Sequence, residues 1–335
     1  MAPDSDLSRL NYARLNDTER VIYDHVAAGL ERLEEKVTIP AREIRGDFDF
    51  SRVLDAIVSE CDNAHVLKRS GMRYSFGLTA LTVFCDTSFG TDSARMAVRA
   101  LEREVSRIAS ACLSECSTDL EKEQFIHDYL ADTVTYTHET CVEDGSEYTA
   151  YGALVEHKAV CMGIAIAARM LLNRVGVDCG CVSNKEHMWN VVRVDGIVCN
   201  LDVTWDLKDE VRSYIYFNMS DRMIQKDHPL VFGPSCDSDS MYWYRINDLD
   251  LRFEEQVTDA VYAAVRAGSR RVTFRIPRVS TEDVIGAVQK GFARGGVRTS
   301  FTYSVNEVHS VYSISWGTPS ASAGSSLLSS LRRHF

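Results

Sequence analysis

Proline is scarce in this chain: there are six among 335 residues, beside 19 glycines. That excludes collagen-like and proline-rich low-complexity architectures and leaves room for long uninterrupted helices. No run of about eighteen apolar residues occurs, so no membrane-spanning helix is expected. Positive charge is also short, with 37 Lys and Arg against 48 Asp and Glu and a formal net charge of −11. Such a surface repels phosphate backbones, and no basic stripe offsets it, so nucleic acid is not an expected partner. The opening Met-Ala-Pro-Asp-Ser-Asp-Leu has no basic start followed by an apolar run. No signal peptide is read there, and a cytoplasmic location is the expectation. Neither a phosphate-cradling glycine loop nor a calcium loop is present, and Asp248 with Asp250 does not make one.

Cysteine, by contrast, is plentiful at ten residues. An even count invites a disulfide reading. If Cys161 stays free, however, nine remain and one is left over, and Cys61, Cys112 and Cys116 sit in apolar or helical contexts. Buried structural thiols in a reducing compartment are the better reading. Cys179 and Cys181 alternate along one strand with Cys199 nearby, but no second pair follows at zinc-finger spacing. No metal and no cofactor is expected. At 45% hydrophobic and 25% charged residues the chain can bury a sizeable core, and its length suggests more than one sub-domain.

The apolar spacing predicts a helix over 16–35, capped by Asn16 with Glu19 three residues on. A second helix is expected over 50–61, a β-rich strand over 72–85 and a long helix over 91–116. Thr118 and Glu121 form a capping box for a helix over 119–132, and a domain boundary is placed before it. The segment 134–147 reads as loop, 148–157 as a short helix and 161–175 as a helix ended by Gly176. Strands are expected at 178–183, 187–194, 197–205 and 213–218, with Asp195-Gly196 as a tight hairpin turn. Residues 220–241 read as irregular. Beyond 251 the pattern is helix (253–267), strand (271–276), helix (281–294), strand (297–304) and strand (308–316). The expected organisation is a mainly helical region over 1–116, a core over 117–245, a small α/β domain over 246–316 and a flexible Ser-, Ala- and Gly-rich tail over 317–335.

Three segments carry chemistry. Cys161 opens an apolar helix, where unpaired N–H groups and the positive end of the helix dipole favour thiolate. The same N–H groups suit an oxyanion, and Gly163 leaves room for another backbone or an acyl substrate. His187 and Asp202 fall on the two strands of the predicted hairpin. With Asp195-Gly196 as the turn, 194 faces 197, 192 faces 199 and 189 faces 202. Asp202 is then the diagonal neighbour of His187 on the same face, within side-chain reach. An Asp there accepts from the imidazole and fixes its tautomer. Asp206 lies on the opposite diagonal as a rival orienter. Nucleophile, base and orienting carboxylate make the set for acyl transfer through a thiolate. Tyr148 and Tyr151 are available as a second oxyanion donor, and Trp189 and Trp205 could wall a cleft, with core packing the default for all four. His127, His138, His157 and His228 are read as structural or solvated.

The segments Ala-Val-Cys161-Met-Gly-Ile-Ala, Glu-His187-Met-Trp-Asn and Asn-Leu-Asp202-Val-Thr-Trp-Asp resemble the Cys, His and Asp motifs of the bacterial transglutaminase-like superfamily. Ile126 to Leu130 and Ala150 to Val155 are similar to it as well, so the resemblance covers about 117–230. It implies an α+β fold in which the helix carrying Cys packs on an antiparallel sheet, as in papain-like enzymes. It further implies Cys161 as nucleophile, His187 as general base and acid and Asp202 as orienter, acting on a protein or peptide substrate. Ala159, Glu186 and Met188 depart from the residues usual in the family, and none removes a triad member. Hydrolysis is favoured over transamidation, because no dedicated amine site is read. The rival expectation is a non-catalytic binding module that keeps the fold.

Overall fold

The computed structural model describes residues 6–87, 91–137, 145–207, 213–229 and 232–317. The protein is α+β, and the chain divides into two compact units, Met1–Trp243 and Tyr244–Phe335. The expected tail beyond Gly317, together with His138 and Cys141, lies outside the described residues.

In the first unit, helix α1 (Asp17–Glu31) starts at the predicted box: Glu19 N–H donates to Asn16 Oδ1 at 2.9 Å and Asn16 N–H to Glu19 Oε2 at 2.9 Å. It ends before the predicted limit, because Leu33 turns left-handed (φ 56°) and the β-branched Val37-Thr38-Ile39 run enters strand β1 (Lys36–Pro40). Helix α2 (Phe50–Glu60) follows. The single strand expected over 72–85 is a hairpin, β2 (Leu67–Phe76) and β3 (Ala80–Thr87), reversed at Gly77-Leu78-Thr79. The sheet order is β1-β3-β2, all antiparallel, so the N-terminal region carries a three-stranded sheet beside its helices. Val37, Ile39, Leu81 and Val83 of this sheet share one core with Ile22, Val26 and Ile57 of α1 and α2.

A second core holds the site. Helix α3 (Thr91–Glu115) and helix α4 (Asp119–Thr133) flank the expected boundary at 117. Both feed that core, through Leu101, Val105 and Ile108 on one side and Ile126 and Leu130 on the other. Short pieces follow: β4 (Thr135–Tyr136), α5 (Ala150–Leu154) and β5 (Lys158–Ala159), which runs parallel to β4. Helix α6 (Cys161–Arg174) is buried on every face from Gly163 to Leu172. Apart from Arg169, which pairs with Asp62 at 2.7 Å, that span is apolar, as befits a helix at the centre of a core. Gly163 is needed for this: a Cβ there would stand 2.5 Å from Glu147 O and 2.8 Å from Thr149 O. The room that glycine leaves is taken by backbone.

Strands β6 (Cys179–Ser183), β7 (Met188–Val194) and β8 (Ile197–Leu201) form an antiparallel sheet in that order. Asp195 (φ 49°) and Gly196 (φ 78°) make the predicted turn, and the register pairs Val194 with Ile197 and Val192 with Cys199. Two expectations fail nearby. The strand read over 197–205 stops at Leu201, because Asp202 caps a one-turn helix, α7 (Val203–Asp206), by accepting from Trp205 N–H at 3.2 Å. The strand read over 213–218 is absent, since Tyr214 (φ 49°) and Asn218 (φ 60°) break the extended run.

The second unit has helices Glu254–Arg266 and Thr281–Arg294 and strands Arg271–Arg275, Phe301–Asn306 and Val311–Trp316. The last strand lies between the other two, antiparallel to both, and Phe274, Ile314 and Trp316 meet Val261, Val288 and Phe292 in its core. The strand expected from 297 starts at Phe301. Asp250 is held by Arg245 and Arg275 in ion pairs.

No described helix is long and apolar enough to cross a membrane. The nine cysteines among the described residues are free thiols.

Candidate active site

Cys161 is the first residue of α6, and Val160 before it gives no side-chain cap. The N–H groups of the first turn are therefore open to other acceptors. The thiol receives a hydrogen bond from the His187 ring and another from the Met188 backbone N–H. Burial pushes the thiol up, but those two bonds and the imidazolium charge outweigh it, and the net direction is below its ordinary value. Cys61, Cys85, Cys179, Cys181 and Cys199 go the other way, each pushed up by burial. Cys181 spends its S–H on Ala165 O, and Cys179 on Gly180 O. These are inert core thiols.

His187 stands one residue before β7. Asn184 holds the approach: its Oδ1 accepts from His187 N–H at 2.8 Å and from Glu186 N–H at 2.9 Å. His187 Nε2 lies 2.6 Å from Asp202 Oδ2. The diagonal contact inferred from the hairpin register is thus made, although the ladder itself ends at Asn190 and Leu201. Burial lowers the imidazole, yet the charge and hydrogen bond of Asp202, with Cys161 adding to them, raise it to about 10. Burial likewise disfavours the Asp202 carboxylate, but His187 and His228 hold it well below the usual range. The His187 side chain keeps 15% exposure against 1% for Asp202, so the base faces an opening and the carboxylate does not.

Asp206, the rival orienter, belongs to another pair. Its Oδ2 lies 3.2 Å from His127 Nε2, and its Oδ1 accepts from Ser213 Oγ at 2.9 Å. One helical turn separates the two aspartates, and it aims them at different histidines. Trp189 stacks on His187 at 5.9 Å between centroids, and Trp205 meets the same ring edge-on at 6.1 Å. Both therefore border the base, and Trp189 is also core, donating Nε1–H to Asn200 Oδ1 at 3.0 Å.

Sequence reasoning missed two residues here. His228 is buried with Nε2 2.9 Å from Asp202 Oδ2. It comes from the irregular stretch after 220, where no periodicity marks it, and the adjacent Asp227 was the available signal. Tyr136 on β4 is half-buried; burial raises its phenol, and the next cause is the charge of Cys161. Tyr151 packs against the core, while Tyr148 lies near enough to Tyr136 to influence it. His157 is exposed, as expected.

The ligand atoms of His187, Asp202 and His228 lie within 4.8 Å of one another, the one such trio among the described residues. Both nitrogen–oxygen separations, 2.6 and 2.9 Å, are those of hydrogen bonds.

Residues 106–203 match the family model of the transglutaminase-like superfamily. Among solved structures, one described as a TGase is 16% identical, with 48% of this chain and 49% of that one aligned and a TM-score of 0.28. A protein from Parabacteroides distasonis, named provisionally as a protease, is 12% identical over 40% of this chain and 36% of its own, with a TM-score of 0.25. The chain thus spans half or less of the length of these structures. None of the curated proteins matches.

Proposed function

We propose that the transglutaminase-like domain is a cysteine-dependent acyl-transfer enzyme acting on peptide or glutamine-type amide bonds. One observation carries the reading: a thiol at a helix start is hydrogen-bonded to an imidazole whose far nitrogen is held by a buried carboxylate. Cys161 thiolate adds to the carbonyl carbon, and the carbonyl π electrons move onto oxygen. The Cys161 backbone N–H is the first donor to that oxyanion, and we place Tyr136 as the second. As the intermediate collapses, the C–N bond breaks and His187 Nδ1 gives its proton to the departing amine. A thioester remains. Water deprotonated by His187 then yields the acid, whereas an amine yields a new amide. Hydrolysis is favoured, because no dedicated amine-binding site is read among the described residues around His187.

Iodoacetamide labelling near pH 6 tests the nucleophile. Rapid alkylation mapped to Cys161, and lost in Cys161→Ala, is the expected result. A thiol no faster than the buried ones would instead favour a binding module that keeps the fold. Labelled primary amine and peptidase assays in parallel separate the acceptors, and amine incorporation without comparable hydrolysis would reverse the preference for water.

A further inference from the structure

His228 has no place in the mechanism above, yet it touches the carboxylate at its base. Its side chain is 1% exposed. Nε2 is 2.9 Å from Asp202 Oδ2 and Nδ1 is 2.8 Å from Asp227 Oδ1. An ionised carboxylate oxygen only accepts, so two such contacts require two N–H donors. The ring carries both protons and is an imidazolium. Asp227 is itself fixed by Tyr216 Oη–H, which donates to its Oδ2 at 2.7 Å. Trp205 at 4.4 Å, Tyr216 at 5.3 Å and Trp189 at 5.4 Å between centroids wall the ring and prevent it from turning away. The titratable groups facing it are Asp202, Asp227, His187 and Tyr216. Burial opposes the positive charge, and the two carboxylates outweigh it and raise the imidazole above its ordinary value.

We propose that His228 is a positioning residue for the Cys161–His187 pair: a second, standing imidazolium that shares Asp202 Oδ2 with His187 and holds down the proton affinity of His187. The inference rests on the acyl-transfer reading. Asp202 Oδ1 is committed to the Trp205 N–H, so Oδ2 alone serves both imidazoles. With His228 charged, Asp202 is partly neutralised before it acts on His187. An unshared buried carboxylate would bind the His187 proton more tightly and slow its delivery to the leaving amine. The second imidazole also fixes the direction of the carboxylate, and so the tautomer and tilt of the first.

The test is the rate of Cys161 alkylation by iodoacetamide from about pH 4 to pH 10. It compares the whole chain with His228→Gln and Asp227→Asn. Gln retains a donor for Asp202 without the charge. Removing a positive charge raises the proton affinity of both partners, and most that of the nearer one. The rings of His187 and His228 lie 5.3 Å apart, so the alkaline limb should rise by about one unit, and the acid limb by less. Asp227→Asn lets His228 lose its proton within the measured range. Its profile should follow the unchanged chain in acid and the Gln variant in alkali. This second variant decides the matter alone if His228→Gln does not fold. Limbs that stay in place in the variants, or move down, overturn the inference while leaving the activated thiol standing. A Cys161 without rapid alkylation in the unchanged chain sinks the acyl-transfer reading and this inference with it.

Discussion

Asp202 and Asp206 stand at the two ends of one helical turn, and each takes a histidine. The pair at Asp206 is closed: His127 and Asp206 side chains have zero exposure, and His127 Nδ1 is bound 3.0 Å away by Asp128. Asp206 Oδ1 also accepts from the Tyr216 N–H at 3.2 Å, which ties the turn to the next segment. The pair at Asp202 has the same ingredients and one difference of position. The outer nitrogen of His187 meets a thiol at a helix start instead of a second carboxylate. A histidine held between two carboxylates is a locked charge, which serves structure. A histidine held between a carboxylate and a thiol can pass its proton on, which serves catalysis. Residue type is the same in both places, and the partner on the far nitrogen decides the role. His228 resembles the locked kind by this criterion, yet it shares its carboxylate with the reactive kind.

The sharpest way to break the comparison is to change the two aspartates alike. Asp202→Asn should lower acyl transfer by about 10³- to 10⁴-fold with the fold retained, because the imidazole loses its tautomer and orientation. Asp206→Asn should keep activity within about tenfold under conditions where it is folded. Peptidase rates and circular dichroism on both proteins check this, and equal losses of activity would erase the distinction. The second effect is on stability. Removing one partner of a buried charged pair costs about 3–5 kcal/mol, so His127→Gln should lower the urea midpoint strongly while Cys161 stays reactive in the folded fraction.

The third effect is a dependence on pH. Burial opposes the His127 charge, but Asp128 and Asp206 raise the group from 6.5 to about 9. A raised imidazole stabilises the folded chain fully below its unfolded pKa and loses that contribution as pH climbs through the folded one. The gap in stability between the unchanged chain and His127→Gln should therefore be widest below about pH 6.5 and shrink toward pH 9. Denaturant midpoints at matched ionic strength measure it, and a constant gap would mean that His127 is neutral. The smallest effect is local. Thr118 caps the helix that carries His127, much as Asp202 caps the turn that carries Asp206. Thr118→Ala should cost about 1 kcal/mol and leave thiol alkylation unchanged.

Legibility in the sequence tracked distance along the chain. The capping boxes at Asn16 and Thr118 form as read, since each needs only residues three apart. The Asp195-Gly196 hairpin forms in the predicted register, and that register brought His187 to Asp202. Misreadings arose where a local pattern had a competing partner. Val203-Thr204 reads as strand, but the Asp202 cap takes the chain into a helical turn. The β-rich run around Gly77 reads as one strand because its reversal at Gly77-Leu78-Thr79 has no Asn-Gly or Asp-Gly pair to mark it. Tyr214 and Asn218 adopt left-handed backbone for reasons that no periodicity could show.

The sequence by itself determined the α+β character, the helix that opens on Cys161 and the hairpin that presents His187 and Asp202. Those depend on caps, turn chemistry and side-chain alternation, which act over a few residues. Only the tertiary structure decided which carboxylates His127 and His228 receive. His127 finds Asp206 across 79 residues, and His228 finds Asp202 across 26. Buried charges cannot stay unpaired, so their partners are settled when distant segments leave water together.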